Sequence, residues 1–320
     1  MSDVRKRLVV ALGGNAISAP GKAGTIDEQF AQVSETAEVL CDAIERGFQL
    51  VVTHGNGPQV GNVLRRVELA RSELYPIPLE VCVADTQAGM GYMIAQCLSN
   101  AMGRRNLTCD VTAIVTTVLV DPNDPAFTEP NKAIGPLLTA ALAEVYRNND
   151  GGVLRGEGGG KYRRVVASPA PRKIIEMPAI ERLVDANQIV VCCGGGGIPV
   201  AVDSLGRIRG VAAVIDKDRT TGLLARQLAA PTLVILTAVE YACLNYGKPD
   251  EKRLEQLTAN EAEAHLKAGH FGAGSMRPKI ETGIDFVRNS PHADAVAIIA
   301  HVSKFGDALD GKSGTRIVQG

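Results

Sequence analysis

Three glycine-rich segments each follow a short apolar run and could bind phosphate. They are Gly13-Gly14-Asn15, Gly55-Asn56-Gly57 and Gly194-Gly195-Gly196-Gly197. Each apolar run predicts a β-strand, and ligands bind at the carboxyl ends of the strands in open α/β sheets. Glycine at that position lets a phosphate approach backbone N–H groups without a Cβ in the way. Each segment alone is also compatible with a tight structural turn, but together they predict one triphosphate-binding site.

Three lysines in polar segments beside prolines or aspartates could supply positive charge to that site. They are Lys132 in EPNKAIGP, Lys217 in AVIDKDRT and Lys279 in GSMRPKIE, and these contexts are typical of turns. In the transition state of phosphoryl transfer, negative charge spreads over the oxygens of the transferred group, and nearby ammonium groups stabilise that charge. Lys217 is the strongest candidate, because Asp216 and Asp218 flank it and can orient it or help to order a Mg²⁺ shell. A solvated turn lysine is the alternative interpretation.

Two other segments match nucleotide-binding patterns, but their sequence context argues against nucleotide binding there. GDALDGKS at residues 306–313 matches the Walker A pattern, but the following GTRIVQG predicts a strand where a phosphate loop needs a helix. Asp307 and Asp310 would also repel a phosphate, so we interpret the segment as a turn before a last strand. GNGPQVG resembles a dinucleotide fingerprint, but it has one residue too many and lacks the acidic residue expected downstream.

Strand-like apolar runs alternate with helical patterns along most of the chain. Predicted strands cover residues 8–12, 49–53, 111–115, 189–193, 233–237 and 295–299, and residues 27–45 have apolar side chains at helical spacing. This alternation predicts an α/β fold with a parallel sheet covered on both faces. Residues 127–168 interrupt the pattern with glycines and arginines, which predicts a small excursion such as a hairpin lid.

Composition favours a small-molecule partner over a polymer. The 320 residues carry 34 lysines and arginines against 35 aspartates and glutamates, without long runs of like charge. This balance argues against a nucleic-acid or anionic membrane surface. The apolar run at residues 8–12 is too short for a signal peptide or a membrane span, so we expect a cytoplasmic protein.

Cysteine and histidine usage offers no obvious nucleophile or metal site. The seven cysteines are scattered through apolar segments without a C-x-x-C pair, so we expect buried thiols. His54 is the histidine inside a glycine loop, and we interpret it as a packed residue that hydrogen-bonds backbone.

Nine segments occur in the order that is found in the carbamate kinases of the amino acid kinase superfamily. These segments are ALGGNAI, VVTHGNGPQVG, GYMIAQ, KAIGP, RRVVASPAP, CCGGGGIPV, AVIDKD, GHFGAGSMRPKIE and SGTRIV. The resemblance covers nearly the whole chain. It implies a three-layer αβα sandwich with a mainly parallel central sheet, formed by residues 1–126 and 169–320. It also implies a protruding subdomain over residues 127–168 and a homodimer.

The resemblance further implies a reversible reaction in which ATP and carbamate, formed from ammonia and CO2, give ADP and carbamoyl phosphate, with Mg²⁺ accompanying the nucleotide. Gly13, Gly14 and Asn15 would lie near the transferred phosphoryl group. The carbamate and phosphate side would be formed by Gly55, Asn56, Gly57, Gly194, Gly195, Gly196 and Gly197. Lys132 would reach in from the subdomain, Lys217 and Lys279 would contact ATP phosphates, and Asp216 would organise them. The nucleotide side would also include Asp218, Tyr246 and Met276.

The sequence departs from the family pattern at several positions. VADTQA at residues 83–88 stands where a serine-glutamine pair followed by glycine is common, Ala133 replaces a proline, Ala212 replaces a glutamate, and GAGSM replaces APGSM. These departures leave two alternatives open. One is a kinase of the same superfamily with another acceptor, such as acetylglutamate, glutamate, aspartate or uridylate, although no dedicated arginine lies in the glycine loops. The other is a non-catalytic ATP-binding homologue.

Overall fold

The computed structural model describes residues 6–18, 24–150, 152–272 and 275–320, without the side chains of residues 148–150. The helices in these ranges are α1 (Ile26–Glu45), α2 (Gly57–Leu69), α3 (Leu79–Arg104), α4 (Ala140–Asp150), α5 (Met177–Asp185), α6 (Lys217–Gln227), α7 (Ala259–Lys267), α8 (Met276–Asn289) and α9 (Phe305–Leu309). The strands are β1 (Arg7–Leu12), β2 (Gln49–His54), β3 (Val111–Ala113), β4 (Thr117–Val120), β5 (Lys132–Thr139), β6 (Leu154–Gly158), β7 (Lys161–Val166), β8 (Pro171–Ile174), β9 (Ile189–Val191), β10 (Ile198–Val202), β11 (Ile208–Gly210), β12 (Thr232–Thr237), β13 (Ala242–Leu244), β14 (Lys252–Leu254), β15 (Gln256–Thr258), β16 (Val296–His301) and β17 (Thr315–Val318).

An eight-stranded sheet forms the centre of the molecule, in the order β15-β17-β16-β12-β1-β2-β9-β3. All neighbours from β16 to β3 are parallel, and β17 runs antiparallel to β16. Strand β1 is buried along its whole length. Such a central strand is apolar on both faces because helices cover both sides of a parallel sheet.

The two faces of this sheet contact separate hydrophobic cores. Leu8 and Val10 of β1 pack with residues of α1, α3 and α9. Val9 and Ala11, which point to the other face, pack with residues of α5, α6, α7 and α8. Successive side chains of a strand alternate between faces, so the pattern follows from the strand geometry. The predicted three-layer sandwich with a mainly parallel central sheet is confirmed.

Three smaller sheets complete the described structure. Strands β11-β10-β4-β8 form one, β13 and β14 form a hairpin, and β5-β7-β6 form a third sheet beside α4. This third sheet lies within residues 132–166 and crosses α2, where a Cβ on Gly61 would be 2.0 Å from the Cα of Gly135. Strands β6 and β7 form the expected hairpin, which also pairs with β5. The boundaries of a separate subdomain at residues 127 and 168 stay a prediction.

The predicted strands all occur, with changes at their ends. The strand expected at residues 189–193 ends at Val191, because Cys193 adopts a left-handed conformation with φ of 52°. The strand expected at residues 111–115 ends at Ala113. The Walker-like segment is not a turn throughout, since its first residues belong to α9, but β17 follows it as predicted.

Two further expectations concern membranes and cysteines. Among the described residues, no helix is both long enough and apolar enough to span a membrane. All seven cysteines are unpaired, and six of them are buried as expected, whereas Cys109 is only partly buried.

Candidate active site

The three glycine loops lie side by side at one edge of the central sheet. They follow β1, β2 and β9, which are consecutive in the sheet. The N–H of Gly13 donates to the carbonyl of Leu236 at 3.1 Å, and the N–H of Gly55 donates to the carbonyl of Leu12 at 3.2 Å. The strand order therefore brings together all three segments that the sequence singled out.

The loop after β9 rests directly on the loop after β2. A Cβ on Gly194 would be 2.2 Å from Nε2 of His54, and a Cβ on Gly195 would be 2.3 Å from Nδ2 of Asn56. Gly195 also has φ of +66°, a conformation that residues with a Cβ rarely adopt. A larger residue at either position would clash with His54 or Asn56. Packing between the two loops therefore explains these glycines, whether or not a ligand binds there.

Two side chains from α3 brace these loops, and sequence reasoning missed them. Nδ2 of Asn56 donates to Oγ1 of Thr86 at 3.0 Å. Nε2 of Gln87 donates to the carbonyl of Gly194 at 2.8 Å. Both residues lie in VADTQA, the segment that departs from the family pattern, and both are buried. Their polar type inside an otherwise apolar helical face was the available signal.

Three lysines and two aspartates form a cluster of ion pairs close to the loops. Nζ of Lys132 lies 2.8 Å from Oδ2 of Asp216, and Nζ of Lys279 lies 3.0 Å from Oδ2 of Asp218. Lys217 donates to the other oxygen of Asp218. The side chain of Asp218 is only 5% exposed. The aliphatic stem of Lys217 packs against the second glycine loop, since a Cβ on Gly55 would be 3.2 Å from its Cδ.

Regular elements hold the lysines, so the predicted turn contexts are wrong. Lys132 is the first residue of β5, Lys217 is the first residue of α6, and Lys279 lies inside α8. Asp216 is the N-cap of α6, and its side chain accepts a hydrogen bond from the N–H of Asp218 at 2.9 Å. Asp216 therefore both starts the helix and pairs with Lys132.

The charges of the cluster shift the pKa values of its members. Burial opposes the ionisation of Asp216 and Asp218, but the neighbouring lysines outweigh it and hold the pKa of both carboxyls below the ordinary value. Burial lowers the pKa of Lys217, and the charge of Asp218 opposes that change. The carboxylates therefore help to keep buried ammonium groups protonated.

His54 is packed and close to a backbone carbonyl as the sequence suggested, but it is the last residue of β2 and not part of the loop. The residue is 1% exposed, and its Nδ1 lies 3.2 Å from the carbonyl oxygen of Gly55. Burial lowers the pKa of His54 to about 4, and the nearby charge of Lys217 contributes in the same direction. The imidazole is therefore neutral at physiological pH.

The remaining predicted residues are less closely connected with the cluster. Met276 is the first residue of α8, three positions before Lys279, and packs against the core. Tyr246 is 65% exposed in the turn after β13, and the described structure shows no contact between it and the lysines. Around Gly14 and Gly57, a Cβ would meet no atom within 4 Å in the part of the chain that the structure describes. Among the described residues, no group of three or more histidines, cysteines, aspartates or glutamates could hold a metal ion.

Comparison with known proteins gives a consistent result. The model of the amino acid kinase family matches residues 6–296. A carbamate kinase of Pyrococcus horikoshii is 42% identical over 315 residues, which cover 98% of this chain and 99% of the relative. Carbamate kinase 2 of Enterococcus faecalis is also 42% identical, with 97% and 98% covered. The solved structure of a Giardia lamblia carbamate kinase bound to AMP-PNP is 41% identical with a TM-score of 0.90, and the match covers 98% of this chain and 99% of that one. The chain therefore belongs to the amino acid kinase family and, within it, to the carbamate kinases.

Proposed function

We propose that this kinase transfers a phosphoryl group reversibly between ATP and carbamate, giving ADP and carbamoyl phosphate. One observation carries the proposal: three lysines converge in one cluster, which contacts the second of three neighbouring glycine loops at the carboxyl edge of a parallel sheet. Three ammonium groups against two carboxylates leave one net positive charge in the cluster. Such a site favours a polyanionic ligand.

Lys217 and Lys279 are suited to contact the phosphates of ATP. Asp218 holds both ammonium groups, one on each carboxylate oxygen, so that their positions are set before a ligand arrives. Preorganised charge of this kind lowers the barrier of phosphoryl transfer because it needs no rearrangement in the transition state. Lys132 adds a third charge from the start of β5, where it pairs with Asp216.

The glycine loops offer space for the ligand next to these charges. Neither Gly14 nor Gly57 has a positive φ, and a Cβ at either position would meet no atom of the described residues within 4 Å. The packing of the described residues therefore does not require glycine at these two positions. Close approach of a phosphate to the backbone would explain why glycine occupies both positions. Gly14 lies in the loop proposed for the transferred group, and Gly57 in the loop proposed for the acceptor side.

The reaction requires no general base from the protein. Carbamate is already an anion near neutral pH, so its oxygen can attack the γ-phosphorus in line. His54 is buried and neutral, which agrees with a packing role. The work of these residues is then to position the two reactants and to neutralise charge.

Mg²⁺ fits this donor set as an ion that arrives with the nucleotide. Mg²⁺ usually keeps several waters and binds through substrate phosphates with one or two carboxylates. Asp216 and Asp218 are the carboxylates in the cluster, and both already accept from lysines, so they would hold the hydrated ion through its waters. Bound with ATP, Mg²⁺ supplies positive charge to the phosphate oxygens.

A coupled assay tests the proposal directly. Purified protein is mixed with Mg²⁺, ADP and carbamoyl phosphate, and ATP formation is followed, beside forward reactions with ATP and acetylglutamate, glutamate, aspartate or UMP. We expect ATP formation from carbamoyl phosphate, and a kcat at least about 10²-fold lower in Lys217→Ala. Lys312→Ala is the matched control, because Lys312 belongs to the Walker-like segment and its side chain is 71% exposed.

Each outcome of this assay has a clear meaning. Turnover only with another acceptor would reject carbamate as the substrate. Bound AMP-PNP without any turnover would indicate a non-catalytic homologue. Near-normal turnover in folded Lys217→Ala would reject the assignment of that lysine. The homodimer stays a prediction, which light scattering can check.

A further inference from the structure

Gln87 of α3 makes an unusually complete set of hydrogen bonds to the backbone of the site. Its Nε2 donates to the carbonyl of Gly194 at 2.8 Å and to the carbonyl of Thr116 at 3.2 Å. Its Oε1 accepts from the N–H of Thr116 at 2.5 Å. The residue is 3% exposed. A buried amide with all these partners is held in one orientation, because any other would leave buried polar groups unpaired.

Thr116 extends this connection to the residue before the glycine run. Its Oγ1 accepts from the N–H of Cys193 at 3.1 Å and donates to the carbonyl of Ile114 at 3.0 Å. Cys193 has φ of 52°, a left-handed conformation that costs about 1–2 kcal/mol for a residue with a Cβ. Gln87 and Thr116 therefore hold the start of the turn at two successive residues, Cys193 and Gly194.

Holding the carbonyl of Gly194 also orients the next N–H. In a trans peptide the carbonyl and the following N–H point in opposite directions. With the carbonyl of Gly194 directed at Gln87, the N–H of Gly195 points away from α3. Glycine adopts a wide range of φ and ψ angles, so hydrogen bonds to the carbonyl of Gly194 are what restrict this peptide plane to one orientation. The N–H of Gly197 also donates to this carbonyl, at 3.0 Å, within the turn itself.

We propose that Gln87 is a positioning residue that sets the orientation of the Gly194–Gly195 peptide toward the carbamoyl phosphate side of the site. This inference rests on the proposed function, which assigns that loop to the acceptor side. Gln87 does not touch the lysine cluster in the described structure. We therefore expect it to affect the binding of carbamoyl phosphate and not that of ADP. Thr116 supports the same peptide through Cys193.

The test compares the two substrates in the ATP-forming direction. Gln87→Met keeps the volume and removes every hydrogen bond of the amide. We expect the KM for carbamoyl phosphate to rise about tenfold or more, as the loss of buried hydrogen bonds at a binding loop predicts, and the KM for ADP to stay within about twofold. Thr116→Val is a second, milder variant, which keeps the backbone groups that pair with Gln87 and should shift the same KM less.

Gln49→Met is the matched control for stability. Gln49 is the first residue of β2, and the second glycine loop follows the other end of this strand. Nε2 of Gln49 donates to the carbonyl of Val184 at 3.3 Å. A variant that is only less stable loses apparent kcat in proportion to its folded fraction and leaves both KM values unchanged. We expect this behaviour from Gln49→Met, with thermal unfolding measured for all variants.

The outcomes separate this inference from the proposed function. Unchanged KM values in Gln87→Met, or equal increases in both, would overturn the positioning role while the wild-type enzyme remains active. A wild-type protein that forms no ATP from carbamoyl phosphate would reject the proposed function, and the positioning role would fall with it.

Discussion

Lys132 and Asp216 form an ion pair with 2.8 Å between Nζ and Oδ2, although they lie 84 residues apart in the chain. Lys132 begins strand β5 of the three-stranded sheet, and Asp216 caps α6 beside the central sheet. The pair joins a lysine of the predicted subdomain to Asp216, the residue that precedes Lys217. It places a third positive charge at the candidate site only as long as β5 stays against the core.

Replacing Lys132 with methionine should therefore lower turnover without unfolding the protein. Lys132→Met keeps the aliphatic stem and removes the charge, and we expect kcat to fall at least about 10²-fold, in the range seen when one preorganised charge is lost. The measurement is the coupled assay at saturating ADP and carbamoyl phosphate. Lys161→Met, at an exposed position of β7 in the same sheet, is the control. A kcat close to wild type in Lys132→Met would contradict a role for this charge.

Asp218 should control the protonation of Lys217. Burial lowers the pKa of Lys217, and the charge of Asp218 opposes this. Asp218→Asn removes the opposing charge, so the pKa of Lys217 should fall further and the ammonium form should be lost at a lower pH. We expect kcat to drop about tenfold or more near neutral pH, since losing one partner of a buried pair is costly. The decline of kcat with rising pH should also begin at a lower pH than in the wild type.

A pH profile of kcat measures this effect independently of stability, provided that each variant is folded at every pH used. Asp310→Asn is the control, because Asp310 pairs with Arg46 and Lys312 at the surface. An Asp218→Asn profile with the same alkaline limb as the wild type would show that Asp218 does not govern the charge of Lys217.

The apolar runs and the glycines that follow them predict the central strands and the loops after them. Residues 8–12 and 49–53 are continuous β-rich runs, followed by glycine at position 13 and, after His54, at position 55. Such runs are buried wherever helices cover both faces of the sheet. Their order in the sheet then brings the glycine loops together. The chain also contains a matching Walker pattern, and the strand after Ser313 was enough to reject it.

Long-range pairing could not be predicted in the same way. The sequence shows that Asp216 and Asp218 flank Lys217, but it does not show that Asp218 pairs with Lys279, 61 residues away, or that Asp216 pairs with Lys132. The bracing of Gly194 by Gln87 across 107 residues is a similar case. These contacts depend on how helices and strands pack, and spacing along the chain carries no information about them.

Gly195 offers a test of the contact between two glycine loops. An alanine there would place its Cβ 2.3 Å from Nδ2 of Asn56 at φ of +66°. Gly206 has φ of +74°, and no atom of the described residues lies within 4 Å of a Cβ there, so Gly206→Ala isolates the conformational cost, which is about 1–2 kcal/mol. We expect Gly195→Ala to lower the free energy of unfolding by about 1–3 kcal/mol more than Gly206→Ala does, because it adds a clash to the conformational cost.

Urea denaturation of both variants measures this difference. We also expect a raised KM for carbamoyl phosphate in Gly195→Ala, since Asn56 must move, and no change of KM in Gly206→Ala. Equal losses of stability in the two variants would show that the loops are not in the tight contact described.

His54 should make the protein less stable as the pH falls. Its folded pKa of about 4 lies below the ordinary value of 6.5, so the unfolded chain binds the proton first. Stability then decreases as the pH falls from about 6.5 to about 4, by up to ~3 kcal/mol from this residue. His54→Asn removes the titrating group, so the free energy of unfolding should depend less on pH in that window, although its value near neutral pH should be lower because the buried site is less well filled. Urea denaturation at several pH values gives the slope, with His301→Asn, at a partly exposed position, as the comparison. A slope in His54→Asn as steep as in the wild type would mean that His54 is protonated in the folded protein or that other groups cause the acid sensitivity.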